Sequence, residues 1–398
     1  MAETHQIILV AGSLCLLALL AGQASIRIGM PLLLAFVGVG ILAGEDGPGG
    51  IPFNDFQVAY LVGSMALAAI LFEGGLNTHA SMLRKALAPA ILLATLGVVI
   101  SAGVVAAASL LLFHLSWGEA LLLGATTVPT DAAAVTVLLR LSRAPVPSRV
   151  AAALEIESGL NDPMSVFLTI GLVEYVMSPA AASLQHEALL LLEEMGGGAA
   201  IGLVSGYALL WAFRALRVEQ SAYPVLAFGG ALAVFGGAQT VGSSGFLAVY
   251  LAGLIVGNYD HPAGQPVARF FETLGCLAQI VLFLMLGLLV TPHELPPIIL
   301  PALLVSAALI VVARPAGVFV SLAPFRWTLR ENAFIAWAGL RGAVPIYLTT
   351  IPFLAGLPSG GRLFNIVFVV VIVSVALQGW TLTPAARVLR LKADDPAH

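Results

Sequence analysis

The chain has 398 residues, 60% of them apolar and 10% charged, with a mean hydropathy of +1.01 and a formal net charge of −4. A soluble domain carries about 25% charged residues, so this composition excludes one, and no basic stripe or aromatic-basic module supports nucleic acid as a partner. Runs of about 20 apolar residues recur, each able to cross a ~30 Å hydrocarbon core as a helix, and the alternation of a β-barrel is missing.

The fold class is therefore an all-α polytopic membrane protein. Thirteen spans are predicted, at 6–22, 25–44, 56–76, 86–113, 117–140, 147–176, 188–213, 221–239, 243–258, 270–291, 295–322, 330–355 and 361–386. Met1 to Gln6 holds no Lys or Arg, so it lacks the charged start of a cleaved signal peptide, and the first span reads as retained. Cys15 and Cys276 sit singly in apolar runs and form neither a disulfide framework nor a metal site. In span 3, Glu73 of Leu71-Phe72-Glu73-Gly74-Gly75 stands near the inner end and would line a cytoplasmic funnel.

Span 5 contains Thr126-Thr127-Val128-Pro129-Thr130-Asp131, where Pro129 removes a backbone donor near mid-span. Span 6 carries Glu155-Ile156-Glu157-Ser158-Gly159-Leu160-Asn161-Asp162-Pro163, with Asp162 about midway along it. Charge at that depth costs roughly 2.5–3.5 kcal/mol on the lenient scale, so such residues face a protein interior or a water-filled cavity. Arg314 lies in span 11, and span 12 contains Gly339-Leu340-Arg341-Gly342-Ala343-Val344-Pro345, a second mid-span break. Glu155 and Glu174, near the ends of span 6, read as solvated.

Of the 17 Lys and Arg residues, all but Arg362, Arg314 and Arg341 fall on one alternating set of loops, from Arg27 and Arg84-Lys85 to Arg390 and Lys392. The positive-inside rule places that set in the cytoplasm, the N-terminus outside and the C-terminus inside. Residues 1–392 form one transmembrane domain, and 393–398 read as a short cytoplasmic tail with no regulatory domain. Spans 1–6 and 8–13, with span 7 as linker, form inverted repeats whose fifth helices both carry the break, the pattern of a secondary transporter.

Ser158 and Asp162 are i,i+4 and share a helix face. With Thr130 and backbone carbonyls freed at the breaks, they would build an oxygen-rich cage for a small monovalent cation. Burial disfavours the charged carboxylate, and a carboxylate that titrates near neutrality holds a proton or a cation, not both. Competition at Asp162 with alternating access is the minimum for exchange. Asp131 reads as a supporting carboxylate behind the site or as a balance for helix dipoles. Glu157 is the candidate for an internal ion pair, with Arg314 or Arg341 as the available partners.

Enzyme readings do not hold. Gly242-Ser243-Ser244-Gly245 faintly suggests a nucleophile turn, but His79, His186, His261 and His293 all fall in loops. Asp131 and Asp162 could supply an aspartic protease with two aspartates, yet an inverted repeat has no purpose there. A solute symporter would want substrate groups beyond the Asp162 cluster, and a channel would not need a titrating carboxylate between two breaks. No cofactor is required.

Thr130-Asp131, Glu157-Ser158-Gly159-Leu160-Asn161-Asp162-Pro163, Arg314 and Gly339-Leu340-Arg341-Gly342 resemble the monovalent cation:proton antiporter-1 family. The phrases Leu71–Leu76 and Ile156–Met164 are most similar to its bacterial potassium/proton branch. The resemblance implies a multi-pass protein of the bacterial inner membrane, in contact with lipid and exchanging H⁺ for K⁺ or Na⁺. It implies homodimers with a dimerisation domain and a mobile core. Asp162 would bind cation or proton, helped by Thr130, Ser158 and Glu157, with Glu157 paired to Arg314. Electrogenic relatives carry a second aspartate where this chain has Asn161, which implies electroneutral exchange with Asn161 as a hydrogen-bonding brace.

Overall fold

The computed structural model describes residues 2–28, 30–131, 134–136, 138–139, 146–178, 184–216 and 218–391. Arg140, Arg143, Arg217, Lys392 and the tail 393–398 therefore lie outside the described residues. The chain is all-helical, and β pairing among the described residues is confined to an isolated bridge between Gly44 and Ile51. Eight described helices are long and apolar enough to cross a membrane, and three shorter apolar ones accompany them.

The first bundle is built from α1 (Ala2–Ile28), α2 (Leu32–Ala43), α3 (Phe56–Asn77), α8 (Leu184–Ala215), α9 (Ala222–Thr240), α10 (Gly245–Asn258) and α11 (Gly264–Leu289). The second holds α4 (Ala80–Leu92), α5 (Val98–Phe113), α6 (Trp117–Thr127), α7 (Ser148–Met177), α12 (Pro296–Ala308), α13 (Arg314–Leu322), α14 (Leu329–Trp337), α15 (Ala343–Leu354) and α16 (Gly360–Val388). The bundles meet chiefly where α3, α10 and α11 of the first touch α7 and α15 of the second, with smaller contacts of α2 on α16 and α8 on α7.

Local chemistry sets the helix ends. The Asp55 carboxylate accepts from the N–H groups of Gln57 and Val58 and starts α3. Both broken spans open on a capping box, Ser116 with Glu119 on α6 and Thr328 with Glu331 on α14. Each then stops in mid-span, α6 at Thr127 and α14 at Trp337; beyond the first break the described residues 134–136 are helical, and beyond the second helix resumes at Ala343.

Several boundaries differ from the sequence reading. Predicted span 25–44 splits, because α1 continues to Ile28 and Pro31 precedes the start of α2 at Leu32. The fourth span begins at Ala80, so Arg84 and Lys85 lie in helix and not in a loop. A π-turn at Leu93–Gly97 joins α4 to α5, and a second at Leu309–Ala313 joins α12 to α13. The first packs on α13 and the second on α5, where Ser101 Oγ donates to the carbonyl of Ala313 at 3.2 Å.

Candidate functional site

The two mid-span breaks cross and are bonded to each other. The backbone N–H of Asp131 donates to the carbonyl of Leu340 (2.8 Å), and the Arg341 guanidinium donates to the carbonyl of Val128. A helix end leaves carbonyls or N–H groups without internal partners, and inside a membrane protein no bulk water replaces them. Arg341 therefore serves the carboxyl end of α6, where backbone dipoles leave partial negative charge. Asp131 serves amino ends: its Oδ1 accepts from the N–H of Ala134 (2.9 Å), and its carboxylate packs against Gly342, just before α15.

The glycines around Arg341 make this crossing possible. A Cβ at Gly342 would overlap the Asp131 carboxylate, and one at Gly339 would strike Nε of Arg314. The Gly339-Leu340-Arg341-Gly342 phrase thus lets two charged side chains approach bare backbone.

Helix α7 passes beside the first break and braces it. Ser158 Oγ donates to the carbonyl of Thr130 (2.7 Å), and Asn161 Nδ2 donates to Thr130 Oγ1 (2.7 Å). One turn before Asn161 on the same helix, Glu157 is 0% exposed and takes both guanidinium prongs of Arg314, with Nη2 to Oε2 at 2.8 Å. Arg314 Nη2 also reaches the carbonyl of Ile335 on α14 (3.4 Å). The choice between Arg314 and Arg341, open from the residues alone, falls to Arg314.

Asp162 is 6% exposed, and its Oδ1 has no hydrogen-bond partner among the described residues. It lines a cavity of about 370 Å³ together with Thr130, Asp131, Ser158, Glu73 and Glu155. Along α3 the cavity runs from Leu67 to Asn77. Beyond it, Tyr60 stacks on Tyr347 (5.4 Å), and Tyr347 shares a hydrogen bond with Ser64 (2.8 Å). Phe246 meets the same ring edge-on. Aromatic packing thus occupies the next turn of α3 beyond the cavity.

Of the residues singled out in the sequence, Thr130, Asp131, Ser158, Asp162 and Glu73 meet in the cavity. Glu157, Arg314, Asn161 and Arg341 lie behind it, in the braces. Glu155 corrects the sequence reading: it is no solvated end but lines the cavity and accepts from Thr78 Oγ1 at 2.9 Å. Glu174 is exposed, as expected. Glu272, Gln279 and Cys276 of α11 also line the cavity and were missed. Their signal was weak, since Glu272 stands near a predicted span end and Gln279 is a lone amide.

Residues 14–388 match the family model described as sodium/hydrogen exchanger, transmembrane. The K(+)/H(+) antiporter NhaP of Alkalimonas amylolytica is 46% identical over 385 residues, covering 97% of this chain and 67% of that protein. The K(+)/H(+) antiporter NhaP2 of Shewanella sp. (strain ANA-3) is 42% identical over 387 residues, with 96% and 67% covered. The chain thus spans about two thirds of the length of these relatives. The solved structure of the sodium proton antiporter MjNhaP1 from Methanocaldococcus jannaschii at pH 8 superposes with a TM-score of 0.85 at 23% identity, covering 97% of this chain and 99% of that one.

Proposed function

Because the chain belongs to the sodium/hydrogen exchanger family, we propose that it exchanges protons for K⁺ or Na⁺ at Asp162. The family is one of ion antiporters, so the chain is a transporter and not an enzyme. The observation that carries the reading is the Asp162 carboxylate itself, buried, with an unpartnered oxygen, lining a largely apolar cavity that also holds Thr130, Asp131 and Ser158. A bare carboxylate in such a place is costly. Bound to a proton or to a monovalent cation it is neutral, and the two occupants exclude each other.

The cation cage is assigned to Asp162, Ser158 Oγ and the oxygens of Thr130. Glu157 has both oxygens on Arg314, so its part is to hold α7 against α13 and α14. Asp131 and Arg341 balance the half-helix ends at the crossing. Asn161 cannot carry a proton, so one carboxylate cycles with one charge and the exchange is electroneutral.

The cavity reaches Asp162 from the ends of α3 and α11 nearest Arg84, Lys85 and Arg269. By the positive-inside rule that side is the cytoplasm, so this conformation faces inward, in the bacterial inner membrane with the N-terminus outside. The matched capping boxes, π-turns and breaks support an inverted repeat, in which one bundle moves against the other around the site.

Proteoliposomes holding a pH dye test this directly, with K⁺, Na⁺ and Li⁺ added in turn to wild type and to Asp162→Asn. Cation-driven proton efflux that is lost in the variant and indifferent to an imposed voltage is the expected result. A response that survives the substitution overturns the reading.

A further inference from the structure

The second break is spanned by two side chains of α16 that the exchange at Asp162 does not use. Ser374 and Gln378 are i,i+4 on one helix face and are 0% and 1% exposed. Gln378 Nε2 donates to the carbonyl of Trp337 (2.8 Å), the last residue of α14. Ser374 Oγ donates to Gln378 Oε1 and accepts from the backbone N–H of Arg341 (2.9 Å). The relay therefore joins a helix-end carbonyl to the unwound strand beyond it. Buried backbone groups of this kind need partners, and a buried polar chain with every link made rigidifies what it touches.

A second, independent observation comes from spacing. On α7, Ser158 and Asp162 are also i,i+4, and Ser158 reaches the first break at the Thr130 carbonyl. Ser158 to Ser374 and Asp162 to Gln378 are separated by the same number of residues. The same separation relates the two π-turns, Leu93 to Leu309, and the helix starts Ala80 and Pro296. Helix α16 thus offers the second break the pair of positions that α7 offers the first, with a carboxamide where α7 has the carboxylate. The difference is chemical. An ionised carboxylate only accepts and can take up a proton, whereas an amide keeps its two donors and closes on a helix-end carbonyl.

We propose that Ser374 and Gln378 are positioning residues for cation exchange. They fix the backbone of Leu340 and Arg341, which bond to Asp131 and Val128 and so hold Thr130 between them. The amide also leaves the α16 side of the crossing without a titrating group, which confines the cycling charge to α7. This inference rests on the reading of Asp162 as the exchange site.

The test compares wild type, Gln378→Leu, Gln378→Glu and Asp162→Asn in proteoliposomes, measuring half-saturating cation concentration and maximal rate across pH. Gln378→Leu leaves the Trp337 carbonyl unpaired and raises half-saturation about tenfold, while the maximal rate stays within about twofold of wild type. Unchanged half-saturation, or a lost maximal rate with half-saturation unchanged, overturns the proposal. If Gln378→Leu does not elute as a folded protein, Gln378→Glu decides. Its protonated form can still donate to Trp337, so cation affinity near wild type at low pH that falls away at high pH supports the proposal. A wild-type pH profile overturns it. Exchange that survives Asp162→Asn rejects the site reading instead, so the two failures are distinct.

Discussion

Glu157 and Arg314 form a two-pronged ion pair sealed between α7 and α13, with the carboxylate fully buried and the guanidinium nearly so. Removing one partner leaves a buried charge alone, at a cost of about 3–5 kcal/mol. Glu157→Gln or Arg314→Met is expected to lower the melting temperature of detergent-purified protein sharply. The double variant should melt above either single one, because it removes both charges. Additive losses would show that the pair is not coupled.

Gly339 and Gly342 predict a second effect. A methyl group at either position meets Arg314 or Asp131, both fixed by other bonds. Gly342→Ala or Gly339→Ala should cost about 1–3 kcal/mol, the usual range for overpacking, and should depress exchange. Gly38→Ala on α2 serves as the control, since nothing lies within 4 Å of its Cβ position. Equal melting and exchange in all three would remove the close-approach argument.

These residues also mark how far the sequence could be read. The run Glu155–Pro163 and the breaks at Pro129 and Gly339–Gly342 were legible because polar and helix-breaking residues are costly in an apolar span. Their grouping around one cavity follows from matching depth. The partner of Glu157 was not legible from the residues alone, because Arg314 and Arg341 are both cations within predicted spans and only the folded structure brings Arg314 onto Glu157. Glu155 was misread because its partner Thr78 is far away in sequence. The π-turns left no trace, since Leu93–Gly97 and Leu309–Ala313 have ordinary helical composition. Ser374 and Gln378 were passed over because single hydroxyls and amides are common in membrane helices.

Outside the spans, His293 and Asp46 give a pH prediction. His293 Nδ1 lies 2.6 Å from Asp46 Oδ2, and its backbone N–H donates to the same oxygen (3.0 Å). The side-chain hydrogen bond to Asp46, helped by the carboxylate charges of Asp46, Glu294 and Glu45, raises the His293 pKa above its ordinary value. The backbone and side-chain bonds from His293 hold Asp46 below its own. The histidine's contribution to stability is full below about pH 6.5 and is lost as pH rises through its raised folded value. The aspartate's is full above about pH 3.9 and is lost as pH falls through its lowered one. The difference in melting temperature between wild type and His293→Gln should therefore be largest near pH 5–6, at about the middle of that window. It should shrink at alkaline pH, and a difference that grows there would contradict the assignment.

Cys276 offers a test of which way the cavity opens. It is exposed and lines the same cavity as Asp162, one turn from Glu272 and Gln279, while Cys15 on α1 is half-buried. A membrane-impermeant thiol reagent reaches only the water-filled part of that surface, so lipid exposure of the helix does not contribute. With Cys15→Ser as background, inside-out vesicles should label at Cys276 quickly and right-side-out vesicles slowly. The Tyr60–Tyr347 stack and the Ser64–Tyr347 bond lie beyond the cavity, on the side that the proposed orientation makes the outer one. Substituting Tyr347→Ala should therefore raise the rate of labelling from outside while leaving the inside rate unchanged. Fast external labelling of the unsubstituted background would mean that the cavity opens outward and that the basic loops do not mark the cytoplasmic side.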